Sequence, residues 1–179
     1  MKTLLIDSVS EAAEILNRGE LVGIPTETVY GLASDALNPD AVSKIFKVKG
    51  RPADNPLIVH ISEVSSLYEI VESVPYKAEV LIKKFWPGPL TMIFKKKKII
   101  PNIVTAGLDY VAVRMPSLLI TRDLISKLGK PIAAPSANLS GRPSPTSYKH
   151  VVDDLNGKIN EYLLKEWGKV TRKKEENNE

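Results

Sequence analysis

A chain of 179 residues, 43% of them apolar and with a formal net charge of +4, is long enough to bury a substantial core as one domain. With no cysteine and only two histidines, far apart, it excludes disulfides, thiolate nucleophiles and Cys-based zinc sites, and no residue is assigned as a metal ligand. No run approaches the roughly 18 apolar residues of a membrane helix, and MKTLLIDSVSEAAEIL meets acidic residues too early for a signal peptide, so a cytoplasmic chain without a membrane partner is expected.

Along the chain, Ser8 and Glu11 have capping-box spacing, with Ala12, Ile15 and Leu16 forming an apolar stripe and Gly19 a stop, which predicts a helix over 8–18. LVGIP at 21–25 reads as a strand. A second helix is expected from Asn38, with Pro39 in the first turn, to Gly50. A buried strand follows at 56–61, then helices at 62–72 and 76–85, strands at 90–94 and 110–115, a helix at 117–128, a strand at 131–135 and a helix at 146–155. Strands alternating with helices imply an α/β sheet. The domain is read as 1–160. Residues 161–179 are read as a charged tail that cannot offset the entropy of ordering.

Three segments carry chemistry. Pro25-Thr26-Glu27-Thr28-Val29-Tyr30-Gly31-Leu32 lies where a strand runs out. An extended chain would put Thr26 and Thr28 on one side and Glu27 on the other, a rim for a small polar molecule or simply a β-rich strand ending in a glycine turn. Lys47, Lys49 and Arg51 sit at a helix end and its exit loop, where they fit a phosphate grip or plain complementation of the helix dipole. Prolines 52 and 56 bracket Asn55 in a rigid turn, and His60 ends the next strand. Ser136-Ala137-Asn138-Leu139-Ser140-Gly141-Arg142-Pro143-Ser144-Pro145-Thr146 follows a strand, the place where α/β sheets bind ligands, although Ser144 and Thr146 also suit helix capping. Arg114, alone in YVAVRMP, needs an acidic partner or an anionic ligand, since burying it unpaired is costly. Lys95–Lys98 read as a solvated turn or edge that discourages strand pairing, with RNA contact as the sharper alternative.

Five stretches in this order resemble the YrdC-type threonylcarbamoyl-AMP synthase family: PTETVYGL at 25–32, KIFKVKGRPADNPLIVHI at 44–61, WPGPLT at 86–91, VTAGLDYVAVRMP at 104–116 and PIAAPSANLSGRPSPT at 131–146. The resemblance implies a twisted, mostly mixed open sheet flanked by helices. It implies formation of threonylcarbamoyl-AMP and pyrophosphate from L-threonine, bicarbonate and ATP, with Mg2+ accompanying the nucleotide. The product would go to downstream proteins that modify tRNA. A threonine pocket is implied at Thr26, Thr28, His60, Arg114 and Ala134, and ATP contacts at Lys49, Arg51, Asn55, Ser136, Asn138 and Ser144, with Lys49 and Arg51 catalytic. A non-catalytic module binding double-stranded RNA or nucleotide is the alternative. After Leu155-Asn156-Gly157 the family pattern continues through a strand, a double glycine and a Ser-Thr stretch that closes the threonine pocket. Here KINEYLLKEW and the charged tail follow, so the expectation is a fold with C-terminal strands missing, an exposed sheet edge and weaker threonine binding.

Overall fold

The computed structural model describes residues 5–157 and the backbone of Leu163–Leu164. Its elements in chain order are β1 (Leu5–Ile6), α1 (Val9–Asn17), β2 (Val22–Ile24), β3 (Gly31–Asp35), α2 (Pro39–Lys49), β4 (Ile58–His60), α3 (Val64–Ile70), α4 (Tyr76–Phe85), β5 (Thr91–Lys95), β6 (Tyr110–Arg114), α5 (Leu119–Leu128), β7 (Ile132–Ala133), α6 (Tyr148–Leu155) and β8 (Leu163–Leu164). Local chemistry sets the helix ends. Ser8 Oγ accepts from Glu11 N at 3.2 Å; Asn38 Oδ1 accepts from Asp40 N and Ala41 N ahead of α2, satisfying amides that a helix start leaves orphaned. Gly50, at φ 58°, turns the chain out of α2 in a left-handed conformation that costs glycine little.

The strands form one open mixed sheet in the order β1-β8-β2-β3-β7-β4-β6-β5. β2 pairs antiparallel with β3, β3 with β7 and β7 with β4, whereas β4 and β6 run parallel. Helices cover the two faces unequally. One face packs Leu32, Val59, Phe94, Val111 and Val113 against α2, α3, α4 and α6 through Val42, Ile45, Leu67, Ile82 and Val151. On the other, α1 and α5 cover Val22, Ile24, Ala33 and Ile132. That second cluster contains no residue of β4, β6 or β5. On those strands the register aligns His60 with Arg114 and Arg114 with Thr91, and Ala112 with Ile93; among the described residues α1 and α5 do not extend their cluster over them, and Ile93 is 70% exposed.

The expected alternation of strands and helices is present, with three differences. Gly31–Asp35, assigned no element from the sequence, is a fully buried central strand. Leu5–Ile6 pairs parallel with Leu163–Leu164, and the latter, beyond the expected domain end at 160, also meets β2 at Gly23. The last helix begins after Ser147, whose Oγ accepts from His150 N, so Ser144 and Thr146 are not its caps. Of the tail expected over 161–179, Leu163–Leu164 form a strand and the rest lies outside the described residues. Among the described residues no helix is long and apolar enough to cross a membrane.

Candidate functional site: two joined loops beside strands β4 and β6

The loop from β2 to β3 is a hydroxyl-centred turn, not an extended rim. Thr26 Oγ1 accepts from Thr28 N and Val29 N, both at 3.2 Å, and donates to Val29 O at 2.6 Å, a local alternative to strand pairing open to threonine. The turn overrides the expected alternation: Glu27 and Thr28 converge on the same group. Arg114 Nη2 pairs with Glu27 Oε1, and both Nη atoms reach Thr28 Oγ1 at 3.3 Å. Glu27 Oε2 also accepts from Ser117 N at 3.2 Å. The acidic partner that Arg114 requires is therefore Glu27. Thr121 on α5, fully buried, donates to Pro25 O and fixes where the turn begins. Sequence alone puts Glu27 in the rim without pairing it with Arg114, and does not single out Thr121. Thr121 had a signal, a hydroxyl in the apolar stripe with Leu124, Ile125 and Leu128, where it must find a partner.

His60 sits in register with Arg114 and is 3% exposed. Burial, then the nearby Arg114 charge, lowers its pKa to about 4, so the ring is neutral at neutral pH. An unfolded His60 takes up its proton near 6.5 while the folded one resists until about pH 4. Stability contributed by the neutral ring is thus present above 6.5 and lost as pH falls through that window, by up to about 3 kcal/mol. Urea denaturation of wild type and His60→Asn between pH 7 and pH 4 checks this, the wild type losing more stability on acidification. Parallel profiles would exclude His60 as the source.

The second loop, 134–146, is built on the end of β7. Ala134 is buried and Ser136 partly so, while Ser144 is exposed. Lys49, on the Val42-Ile45-Phe46 face of α2 and 3% exposed, donates to Ser136 O and Asn138 O, and Ser140 N donates to Lys49 O at 3.0 Å. Desolvation, then the Arg51 charge, lowers the Lys49 pKa to about 8, with Asp154 opposing. Arg51 Nη2 donates to Asn55 O at 3.3 Å and Pro56 O at 3.0 Å; Asn55 itself is exposed. Asn138 Nδ2 donates to Leu139 O and Arg142 O, both at 2.8 Å. Lys47, the third cation of the expected grip, is exposed.

Backbone hydrogen bonds join the two loops. Tyr30 N donates to Pro145 O at 2.8 Å, Leu32 N to Pro135 O at 2.8 Å and Ala137 N to Tyr30 O at 2.9 Å. Around them, Nε of Arg114, Nε of Arg51 and Oδ1 of Asn138 are buried and make no hydrogen bond among the described residues, which is unusual for buried polar atoms.

The lysine run stands apart from both loops. Lys95 pairs with Glu72 at 3.0 Å, Lys96 donates to Ile100 O and Asn102 Oδ1, and Lys97 donates to Tyr68 O at 2.6 Å. The run does end the edge strand, but three of its four ammonium groups hold neighbouring segments.

Comparison with known proteins places these features in a family. The chain is 54% identical over 148 residues to a threonylcarbamoyl-AMP synthase of Pyrococcus abyssi, covering 83% of this chain and 44% of that protein. It is 53% identical over 152 residues to a protein of the same name from Bacillus subtilis, covering 84% and 44% respectively. It thus spans less than half the length of these relatives. The crystal structure of P. abyssi Sua5 complexed with L-threonine superimposes with a TM-score of 0.85 at 52% identity, over 87% of this chain and 46% of that one. The Sua5/YciO/YrdC family model, described as telomere recombination, matches residues 14–176, and the chain belongs to that family.

Proposed function

We propose that this chain acts as an L-threonylcarbamoyladenylate synthase, forming threonylcarbamoyl-AMP and pyrophosphate from L-threonine, bicarbonate and ATP. The observation that carries the reading is the set of unspent buried polar atoms around the two hydrogen-bonded loops: Arg114 Nε on the threonine side, Arg51 Nε and Asn138 Oδ1 on the nucleotide side. The names of the relatives support it.

In this reading Thr26, Thr28, His60, Arg114 and Ala134 surround the amino acid, and Arg114 neutralises its carboxylate. The threonine nitrogen bonds to the bicarbonate carbon with loss of water. An oxygen of the resulting carbamate attacks the α-phosphorus of ATP, the α–β bridge bond breaks, and pyrophosphate leaves. Lys49 has three donors and spends two on carbonyls, so one remains for a phosphate oxygen. With Arg51 it stabilises the charge that moves onto pyrophosphate. Asn55, Ser136, Asn138 and Ser144 complete the nucleotide contacts. Among the described residues no group of three His, Cys, Asp or Glu comes together, so a Mg2+ ion would arrive on the triphosphate oxygens and neutralise part of their charge. The adenylate would then serve downstream proteins that modify tRNA.

The test is pyrophosphate release from ATP and bicarbonate with and without L-threonine. Threonine-dependent release is the expected result; no release, with salt-sensitive RNA binding instead, would overturn the reading. A finer check compares two cations. Arg51→Ala is expected to weaken ATP binding by about tenfold or more, the loss of charge-assisted hydrogen bonds. Lys96→Ala, which loses an ammonium donating to Ile100 O and Asn102 Oδ1, is expected to leave ATP affinity within about twofold, since hydrogen bonds remote from the ligand add nothing to binding. Calorimetric titration decides; equal small effects would remove Arg51 from the site.

A further inference from the structure

Asp154 near the end of α6 lies outside every motif considered so far, yet its carboxylate is only 14% exposed. Oδ1 accepts from Arg142 Nη1 at 2.7 Å and Oδ2 from Leu139 N at 3.4 Å. It thereby grips both ends of the Leu139–Arg142 turn. Asn138 Nδ2 spans the same turn, donating to Leu139 O and Arg142 O, and Lys49 holds Ser136 O and Asn138 O. The loop is thus clamped by a cation from α2 and an anion from α6.

The charges explain why the anion is needed. Lys49 beside the loop and Arg142 on the loop itself are both cations, Arg51 acts on Lys49, and Asp154 is the carboxylate that opposes Arg51 in acting on Lys49. Without it, Lys49 would keep the neighbouring Arg51 charge and lose the carboxylate that offsets it, and like charges in such surroundings repel. Asp154 also lines, with Arg142, Ser144 and His150, a groove of about 530 Å³ beside the loop.

We infer that Asp154 is a positioning residue for the nucleotide loop: through Arg142 and the Leu139 amide it sets the loop conformation that presents Ser136, Asn138 and Ser144. This rests on the nucleotide reading given above. Asp154 touches no substrate in this scheme. Its substitution should change ATP binding and leave the threonine side alone.

The experiment uses the full chain with Asp154→Asn, close in shape but uncharged, and Arg142→Lys as a second variant that retains the cation but alters its geometry. In wild type and both variants, ATP and L-threonine affinities are measured by calorimetry from pH 6.5 to 9, together with hydrogen exchange of the free chain. Expected for Asp154→Asn are an ATP affinity lower by about tenfold, a threonine affinity within about twofold, and an alkaline fall in ATP affinity that begins at lower pH than in wild type. The Leu139 amide should exchange faster than in wild type, while core amides of β4 and β6 do not. Arg142→Lys should reproduce the exchange effect, and the Asp154→Asn/Arg142→Lys double variant should lose less than the sum of the two single losses. Unchanged exchange at Leu139, or equal losses for ATP and threonine, would overturn the inference. If wild type binds no ATP, the nucleotide reading and Asp154's role in it both fall. If wild type binds ATP and Asp154→Asn binds it equally well, only the inference falls. Should Asp154→Asn not fold, faster Leu139 exchange and weaker ATP binding in Arg142→Lys still decide for it, and wild-type behaviour there decides against it.

Discussion

Arg114→Lys is expected to lower L-threonine affinity by at least about tenfold while leaving the net charge unchanged, because a planar fork can hold a carboxylate through parallel hydrogen bonds and an ammonium cannot. The geometry sharpens the expectation. Arg114 uses its two terminal nitrogens on Thr28 and Glu27 together, which an ammonium on a different stem cannot reproduce from the same backbone position. Arg114→Ala goes further: it leaves Glu27, 19% exposed at its side chain, without its counter-charge and should cost roughly 3 kcal/mol of stability. Adding Glu27→Gln should recover part of that stability without recovering threonine binding. Denaturant midpoints and threonine titrations of the three variants check the pair; wild-type threonine affinity in Arg114→Lys would show Arg114 to be purely structural.

Lys49→Met should remove ATP binding and also weaken the fold. The methionine fills similar space but leaves Ser136 O and Asn138 O without their donor, and each buried acceptor left unpaired costs about 1–3 kcal/mol. The pH dependence gives a separate signature. Between pH 8 and 10.5 the folded Lys49 has lost its proton while the unfolded one keeps it, so the wild type gains stability as pH rises through that window and Lys49→Met lacks the gain. ATP affinity runs the other way, falling as the ammonium discharges above about pH 8. Melting curves and ATP titrations across the window test both signs.

The parts of the fold readable from sequence are those with local causes. Asn38, Pro39 and Gly50 set the ends of α2 through capping and backbone preference alone. Gly31–Asp35 carries no such signal: GLASD is made of small or weakly β-forming residues and, buried throughout, has no alternation to betray it. Its strand character comes from neighbours on both sides, a tertiary cause. The site divides the same way. That Arg114 needs an anion follows from its apolar setting, but naming Glu27 requires knowing that Thr26 curls the backbone. Lys49 could have been separated from Lys47, since only Lys49 continues the stripe of Val42, Ile45 and Phe46, whereas its carbonyl partners lie 87 and 89 residues away.

The three backbone hydrogen bonds between the 25–32 and 134–146 loops make the two half-sites thermodynamically dependent. A ligand that orders one loop has already met part of the entropy of ordering the other, so the second ligand binds to a chain with less freedom left to lose. Threonine should therefore raise affinity for ATP, and linkage requires ATP to raise affinity for threonine by the same factor. Titrating each ligand in the presence and absence of the other measures that factor twice. A factor of one would mean that Tyr30, Leu32 and Ala137 tie the loops together without passing any ordering between them.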